Sequence, residues 1–92
     1  MIVRILGEGQ LSVSDSVGAE LNELDAKLEA AVNAGDERAF RPALAALLAR
    51  VRAAGTPVAA DSLEPSDVIL PYADASIDDV HHLLTDDGLI PG

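Results

Sequence analysis

The chain begins with two short apolar runs that are separated by a turn. The runs are MIVRIL at residues 1–6 and QLSV at residues 10–13, and the first is rich in β-branched side chains. Such runs favour strands, and Gly7 and Gly9 tolerate the positive φ angles that tight hairpin loops require. The pattern predicts a short β-hairpin. It must pack on another element, because an isolated hairpin is only marginally stable in water.

A stripe of apolar residues with helical spacing follows the hairpin. Its members recur every three or four positions, as on one face of an amphipathic helix: Val17, Leu21, Leu24, Leu28, Ala31 and Val32. Ser14, Asp15 and Ser16 offer side-chain oxygens for a helix N-cap. Gly35 suits the left-handed conformation at a helix end. This region is therefore predicted to form one long helix.

A second stripe predicts a second helix directly after the first. Its members are Phe40, Leu44, Leu47, Leu48 and Val51. Asp36 is placed to begin this helix and Gly55 to end it, and the short connection predicts an antiparallel helical hairpin. Pro42 lies beyond the first turn, where proline removes a hydrogen bond and kinks a helix. The alternative is a short turn over residues 36–41 and a helix that begins near Pro42.

The last part of the chain predicts one more strand and one more helix. The polar segment TPVAADSLEPSD is predicted to be a loop, and VILP, ended by Pro71, a third short strand. Ser76 caps the final helix, with Asp79 in the position of a capping box. Asp87–Gly88 ends that helix, and residues 89–91 are expected to fold back on the core. The inner face of the helix consists of Ile77, Val80, Leu83 and Leu84.

The predicted order of elements is β-β-α-α-β-α. This is a helix-dominated α+β fold with a sheet of two or three strands, in a single domain over residues 1–92. The two helical stripes are expected to pack on each other and on the hairpin. An alanine-rich helix pair of this kind is also able to leave an apolar groove for a partner helix, and the sequence leaves both interpretations open.

Composition and charge narrow the range of functions. The core is small because the 92 residues include one Phe, one Tyr and no Trp, so a partner or a second copy that forms a homodimer would add stability. The net charge of −10 disfavours direct binding to nucleic acid or to a bare membrane surface and suits a basic protein partner. The absence of cysteine excludes disulfides and thiolate sites. With no long apolar run, we expect a cytoplasmic protein.

The two histidines suggest metal binding as the alternative function. His81 and His82 are adjacent, and neighbours on a helix point about 100° apart, so both cannot bind one ion from a regular helix. Asp78, His82 and Asp86 have the spacing of four that a metal-binding or metal-dependent hydrolytic site on a helix would use. The competing interpretation is a solvated helix face beside acidic residues.

Patterns typical of catalysis and of cofactor binding are missing. The chain contains no G-x-S-x-G elbow, and Gly7–Glu8–Gly9 is not followed by the G-K-[ST] of a phosphate-binding loop. We therefore predict neither an enzyme nor a bound cofactor.

Four segments in order resemble one family. They are MIVRILGEGQ, LNELD, SDVILP and DDGLIPG, and together they resemble the PspA-associated protein family (PspAA), small actinobacterial and archaeal proteins linked to phage shock protein A. The resemblance extends over nearly the whole chain. It departs from the family pattern at Pro42, where a helix-compatible residue is usual.

The resemblance implies a partner and a role. The partner is phage shock protein A, a coiled-coil protein of the ESCRT-III-like class that protects stressed membranes. The implied role is a non-enzymatic adaptor or regulator in the envelope stress response, which reaches the membrane only through this partner. No catalytic residues transfer with the resemblance. The acids best suited to a basic partner are Glu8, Glu20, Glu23 and Asp25.

Overall fold

The predicted N-terminal hairpin is present in the structure, a computed structural model that describes residues 1–59, 65–84 and 89. Strands β1 (Ile2–Ile5) and β2 (Gly9–Ser12) pair antiparallel. Gly7 has φ +85° and Gly9 has φ +109°, conformations that side chains with a Cβ rarely adopt. The backbone N–H of Glu8 donates to the carbonyl of Ile5 at 2.9 Å and closes the turn. The prediction for this region is confirmed.

Two further strands complete a four-stranded sheet in the order β3-β2-β1-β4. Strand β4 (Val68–Leu70), which was predicted, runs parallel to β1, and β3 (Thr56–Pro57) pairs antiparallel with β2. The prediction that residues 56 and 57 belong to a loop is therefore wrong. Two residues are too few for an alternating pattern to be seen, and Pro57 fits only an edge strand because it has no N–H to donate.

Helix α1 (Gly18–Ala34) follows a single 3₁₀ turn at Asp15–Val17. The hydroxyl of Ser14 accepts from the backbone N–H of Ser16 at 3.3 Å and caps this turn. Gly35 ends α1 at φ 65°. The end of α1 agrees with the prediction. Its start lies later than predicted, because Val17 belongs to the 3₁₀ turn and the predicted cap serves that turn.

Helix α2 (Glu37–Ala54) continues through Pro42 without interruption. The alternative, a helix that begins near Pro42, is wrong. The Asp36 carboxylate accepts from the N–H groups of Arg38 and Ala39 at 3.1 and 3.3 Å, and Phe40 is fully buried. A cap contributes about 1 kcal/mol and a buried aromatic side chain about 3 kcal/mol. Together they offset the cost of an interior proline, which is about 3 kcal/mol.

Helix α3 (Ile77–Leu83) carries the predicted capping box. The N–H of Asp79 donates to the Ser76 hydroxyl at 3.1 Å, and the N–H of Ser76 donates to the Asp79 carboxylate at 3.0 Å. The helix ends at Leu83, earlier than predicted, because Leu84 adopts an extended conformation. The predicted end at Asp87–Gly88 lies outside the described residues.

The core lies between one face of the sheet and the inner sides of the helices. In β1 and β4, buried residues alternate with exposed ones, so that Arg4 and Ile69 point away from the core. Leu89 is only 7% exposed and belongs to the core, as predicted for the segment that folds back, whereas residues 90 and 91 lie outside the described part. The α+β, helix-dominated fold is confirmed.

None of the helices in the described part of the chain has the length and apolar character needed to cross a membrane.

Candidate interaction surface

The structure does not bring the predicted metal ligands together as a site in the described part of the chain. His82 Nδ1 lies 2.6 Å from the backbone carbonyl oxygen of Asp78. Because a carbonyl oxygen only accepts, Nδ1 is the donor here, and only Nε2 of His82 could offer a lone pair to an ion. Asp86 lies outside the described residues. Within residues 1–59, 65–84 and 89, no three His, Asp or Glu side chains are grouped as metal ligands.

Asp79, beside these residues, serves the start of α3. The hydrogen bond from the Ser76 backbone, and then the one with its side chain, lower the pKa of Asp79 below its ordinary value. The carboxylate therefore remains ionised as a cap near the positive end of the helix dipole. The position of Asp79 is therefore explained by helix structure.

Glu8, the first of the four predicted partner contacts, is paired within the protein. Arg52 Nε donates to Glu8 Oε1 at 2.8 Å, and Arg52 Nη2 donates to the other carboxylate oxygen. These hydrogen bonds from Arg52 lower the pKa of Glu8. The pair joins the hairpin turn to the last turn of α2, so Glu8 already has a structural role.

Glu20 and Glu23 are exposed on α1. Arg50 Nε donates to Glu20 Oε2 at 2.9 Å, in an ion pair that joins α1 to α2. The Glu20 side chain is still 51% exposed. Glu23 is exposed and forms no salt bridge with another described residue. Of the predicted contacts, Glu23 is the acid most available to a partner.

Asp25 lies in the interior and is 3% exposed. Its Oδ1 accepts from the backbone N–H of Leu89 at 3.2 Å, and the carboxylate thereby joins α1 to the C-terminal segment. This position does not suit a contact with a basic partner, although the sequence pointed to one. An acid on the inner side of an amphipathic helix is normally recognised from the stripe itself, and Asp25 lies one position after Leu24 and four after Leu21.

The motif positions around residue 66 also have structural partners. Gln10 Nε2 donates to the Ser66 hydroxyl at 2.7 Å, and the Ile2 N–H donates to Asp67 Oδ2 at 2.7 Å. Through these hydrogen bonds the segment before β4 is joined to both strands of the hairpin. Asp67 is exposed and forms no salt bridge either, but its carboxylate is held by the Ile2 N–H. Among the described acids of the resembling motifs, Glu23 is therefore the exposed one that is left without a structural partner.

A groove of about 600 Å³ runs between α1 and α2. We call it the alanine groove, because it is lined by Ala30, Ala31, Ala34, Ala39, Ala43 and Ala46. Leu24 and Pro42 add larger apolar surface, and Lys27 and Asp36 add charge. Most of these alanines are exposed, whereas the neighbouring Phe40, Leu44 and Leu47 are buried in the core. The helical hairpin therefore has two apolar sides.

The charged residues of α1 continue from one end of the alanine groove. Glu20 precedes Leu24 by four residues and Glu23 precedes Lys27 by four, so both lie on the groove side of α1. Arg50 follows Ala46 by four residues, which places the Glu20–Arg50 pair beyond that end of the groove. Two of the predicted contacts and the groove thus form one continuous surface.

The residues of this groove were not identified from the sequence, although a groove was one of the two interpretations. Alanine favours the helix at any position, exposed or buried, so it adds little to a hydrophobic stripe. The available signal was the spacing of Ala39, Pro42, Ala43 and Ala46 by threes and fours. That spacing marks one side of α2 as uniformly small and free of charge.

Comparison with known proteins gives one match. The sequence model of the family described as PspA-Associated protein matches residues 1–92. No curated protein and no solved structure shows a significant match to the chain.

Proposed function

Because the chain belongs to the PspA-associated protein family, we propose that it is a non-enzymatic adaptor or regulator that binds phage shock protein A in the envelope stress response. The observation that carries this proposal is the family match, which extends over residues 1–92. We place the protein in the cytoplasm, with access to the membrane only through its partner.

The charge of the protein supports an interaction of this type. A net charge of −10 attracts basic segments of a partner and increases the rate of encounter, an effect that weakens as salt rises. The resemblance gives the partner a coiled-coil structure, and helices of a coiled coil offer apolar stripes flanked by charged residues. The alanine groove and the acids beside it are compatible with one such helix.

Co-purification tests the proposal directly. The protein, carrying an affinity tag, is mixed with phage shock protein A from the same cell and captured at low and at raised salt. We expect retention of the partner that decreases as salt rises, because exposed charges are screened over about 10 Å at 0.1 M salt. No retention at any ionic strength contradicts the proposal.

A further inference from the structure

We propose that the alanine groove receives one helix of a different protein, with large apolar side chains directed at the seam between α1 and α2 and Lys or Arg on its flank. This inference rests on the proposed function, since the helix would belong to phage shock protein A. It adds the surface that makes the contact and the chemistry of the element that fills it.

The shape of the groove determines what fits. A surface of alanines on two adjacent helices presents shallow holes, and packed helices fill such holes with protruding side chains such as Leu, Ile, Met or Phe. Within the groove, Leu24 is the only large aliphatic side chain among the lining residues. The groove therefore lacks protruding side chains, and the occupant has to supply them.

A second copy of this chain does not meet that requirement. Its equivalent surface would present the same small residues, so holes would face holes, whereas a stable interface buries about 800 Å² on each partner around large apolar anchors. Each copy also carries a net charge of −10, which opposes the approach of two identical surfaces. A helix of different sequence avoids both problems.

The charges beside the groove indicate the flank of that helix. Glu23 is exposed without a salt bridge in the described part of the chain, and Glu20 retains an exposed carboxylate beside Arg50. Lys27 lies one turn further along the same side of α1. A docked helix with Lys or Arg at the Glu23 end would be complementary in charge, and its orientation along the groove would follow from that pairing.

Pro42 is consistent with an occupied groove. An interior proline removes one helical hydrogen bond, and in the protein alone its ring is exposed on the groove side of α2. The ring therefore gains little from burial in the free protein. A helix docked over it would cover this apolar surface.

The decisive experiment compares two substitutions that differ only in direction. Ala46 and Ala45 are neighbours on α2, and both are exposed, but only Ala46 lines the groove, because successive residues point about 100° apart. Ala46→Gln fills the groove without adding charge. Ala45→Gln makes the same exchange outside it. The affinity of each variant for phage shock protein A from the same cell is measured by calorimetry, and circular dichroism confirms that both are folded.

The expected result is a loss of affinity of about tenfold or more for Ala46→Gln and no change for Ala45→Gln. If the unmodified protein binds and both variants bind equally well, the groove is not the contact surface, while the proposed function stands. If the unmodified protein does not bind at all, the proposed function and this inference both fail. Sedimentation of the protein alone supplies the remaining outcome: a dimer that Ala46→Gln converts to monomer would show that a second copy fills the groove and would overturn the proposal.

Discussion

The two apolar sides of the helical hairpin differ in the size of their residues. The side that faces the sheet carries Phe40, Leu44 and Leu47, all of them buried. The side that faces away carries Ala39, Ala43 and Ala46 and forms the groove. Large side chains lie where the chain itself covers them, and small ones where it does not. A helix pair can thus remain soluble and still offer a close approach to another helix, because alanine exposes little apolar area.

The largest expected effect on stability comes from the side of the helical hairpin that faces the sheet. Leu47→Ala removes a side chain that is 0% exposed and should lower the free energy of unfolding by about 2–5 kcal/mol through lost burial and a new cavity. Ala46→Gln, one residue away, should change it by only a few tenths of a kcal/mol. Urea unfolding followed by circular dichroism at 222 nm measures both. Equal effects would mean that the two sides are not distinct.

Substitution of Asp25 tests how much the stability of the protein depends on this buried acid of α1. Asp25→Ala removes the acceptor of the Leu89 N–H and should destabilise the protein by about 1–3 kcal/mol, since a buried donor loses its partner. Asp25→Asn keeps a carbonyl oxygen at the same place and should cost less. Hydrogen exchange gives a local reading, because the amide of Leu89 should exchange faster in Asp25→Ala. An unchanged exchange rate would argue against this contact.

The Glu8–Arg52 pair makes stability depend on pH. The pKa of Glu8 is depressed from its ordinary value of 4.5 by the hydrogen bonds from Arg52. A depressed carboxyl pKa contributes stability above the unfolded-state value, and the contribution is lost as pH falls through the folded-state value. Both side chains are more than a third exposed, so the contribution should remain below about 1 kcal/mol.

Glu8→Gln should therefore lower the melting temperature slightly at pH 7 and flatten its decrease below pH 4.5. Glu23→Gln is the matched control, because Glu23 forms no salt bridge in the described part of the chain. Melting curves of both variants between pH 3 and pH 7 provide the measurement. Parallel curves for the two variants would contradict a specific role for the Glu8–Arg52 pair.

The smallest expected effect concerns the acid beside the groove. Glu23→Gln should reduce the association rate with phage shock protein A a few-fold at low salt, with little change in stability, because exposed charges act mainly on encounter. Glu29→Gln is the control on the same helix, since six positions rotate the side chain by about 120° away from Glu23. Stopped-flow mixing at two salt concentrations measures both. Equal rates would remove Glu23 from the contact surface.

Much of the fold follows from local patterns in the sequence. The stripes of α1 and α2, the caps at Ser14, Asp36 and Ser76, and the glycines of the turn at residues 7–9 are all local, and each was predicted. The two residues of β3 were missed because they form a strand only by adding to an edge that β2 already provides. The sequence left two possible starts for α2, because the choice depends on whether the Asp36 cap and the burial of Phe40 offset the cost of Pro42.

The candidate site was predictable only in part, because its geometry joins distant residues. Glu8 meets Arg52 across 44 positions, and Asp25 meets Leu89 across 64. No local spacing reveals such pairs, so the partners of Glu8 and Asp25 could not be predicted from the sequence. Glu20 and Glu23 are exposed. The inner position of Asp25 could be recognised from its spacing to Leu21, whereas its contact with Leu89 could not.

The sheet order has a consequence for how the chain folds as it is synthesised. β1 is an inner strand, and Val3 pairs with Val68. Until the ribosome has released residues 68–70, one edge of β1 has no native partner, and an open edge is a template for pairing with another chain. β1 is short and carries the exposed Arg4. Both features make its open edge less prone to pair with another chain before β4 is available. β1 is thus synthesised first but gains a partner strand on both edges only after β4 has been synthesised.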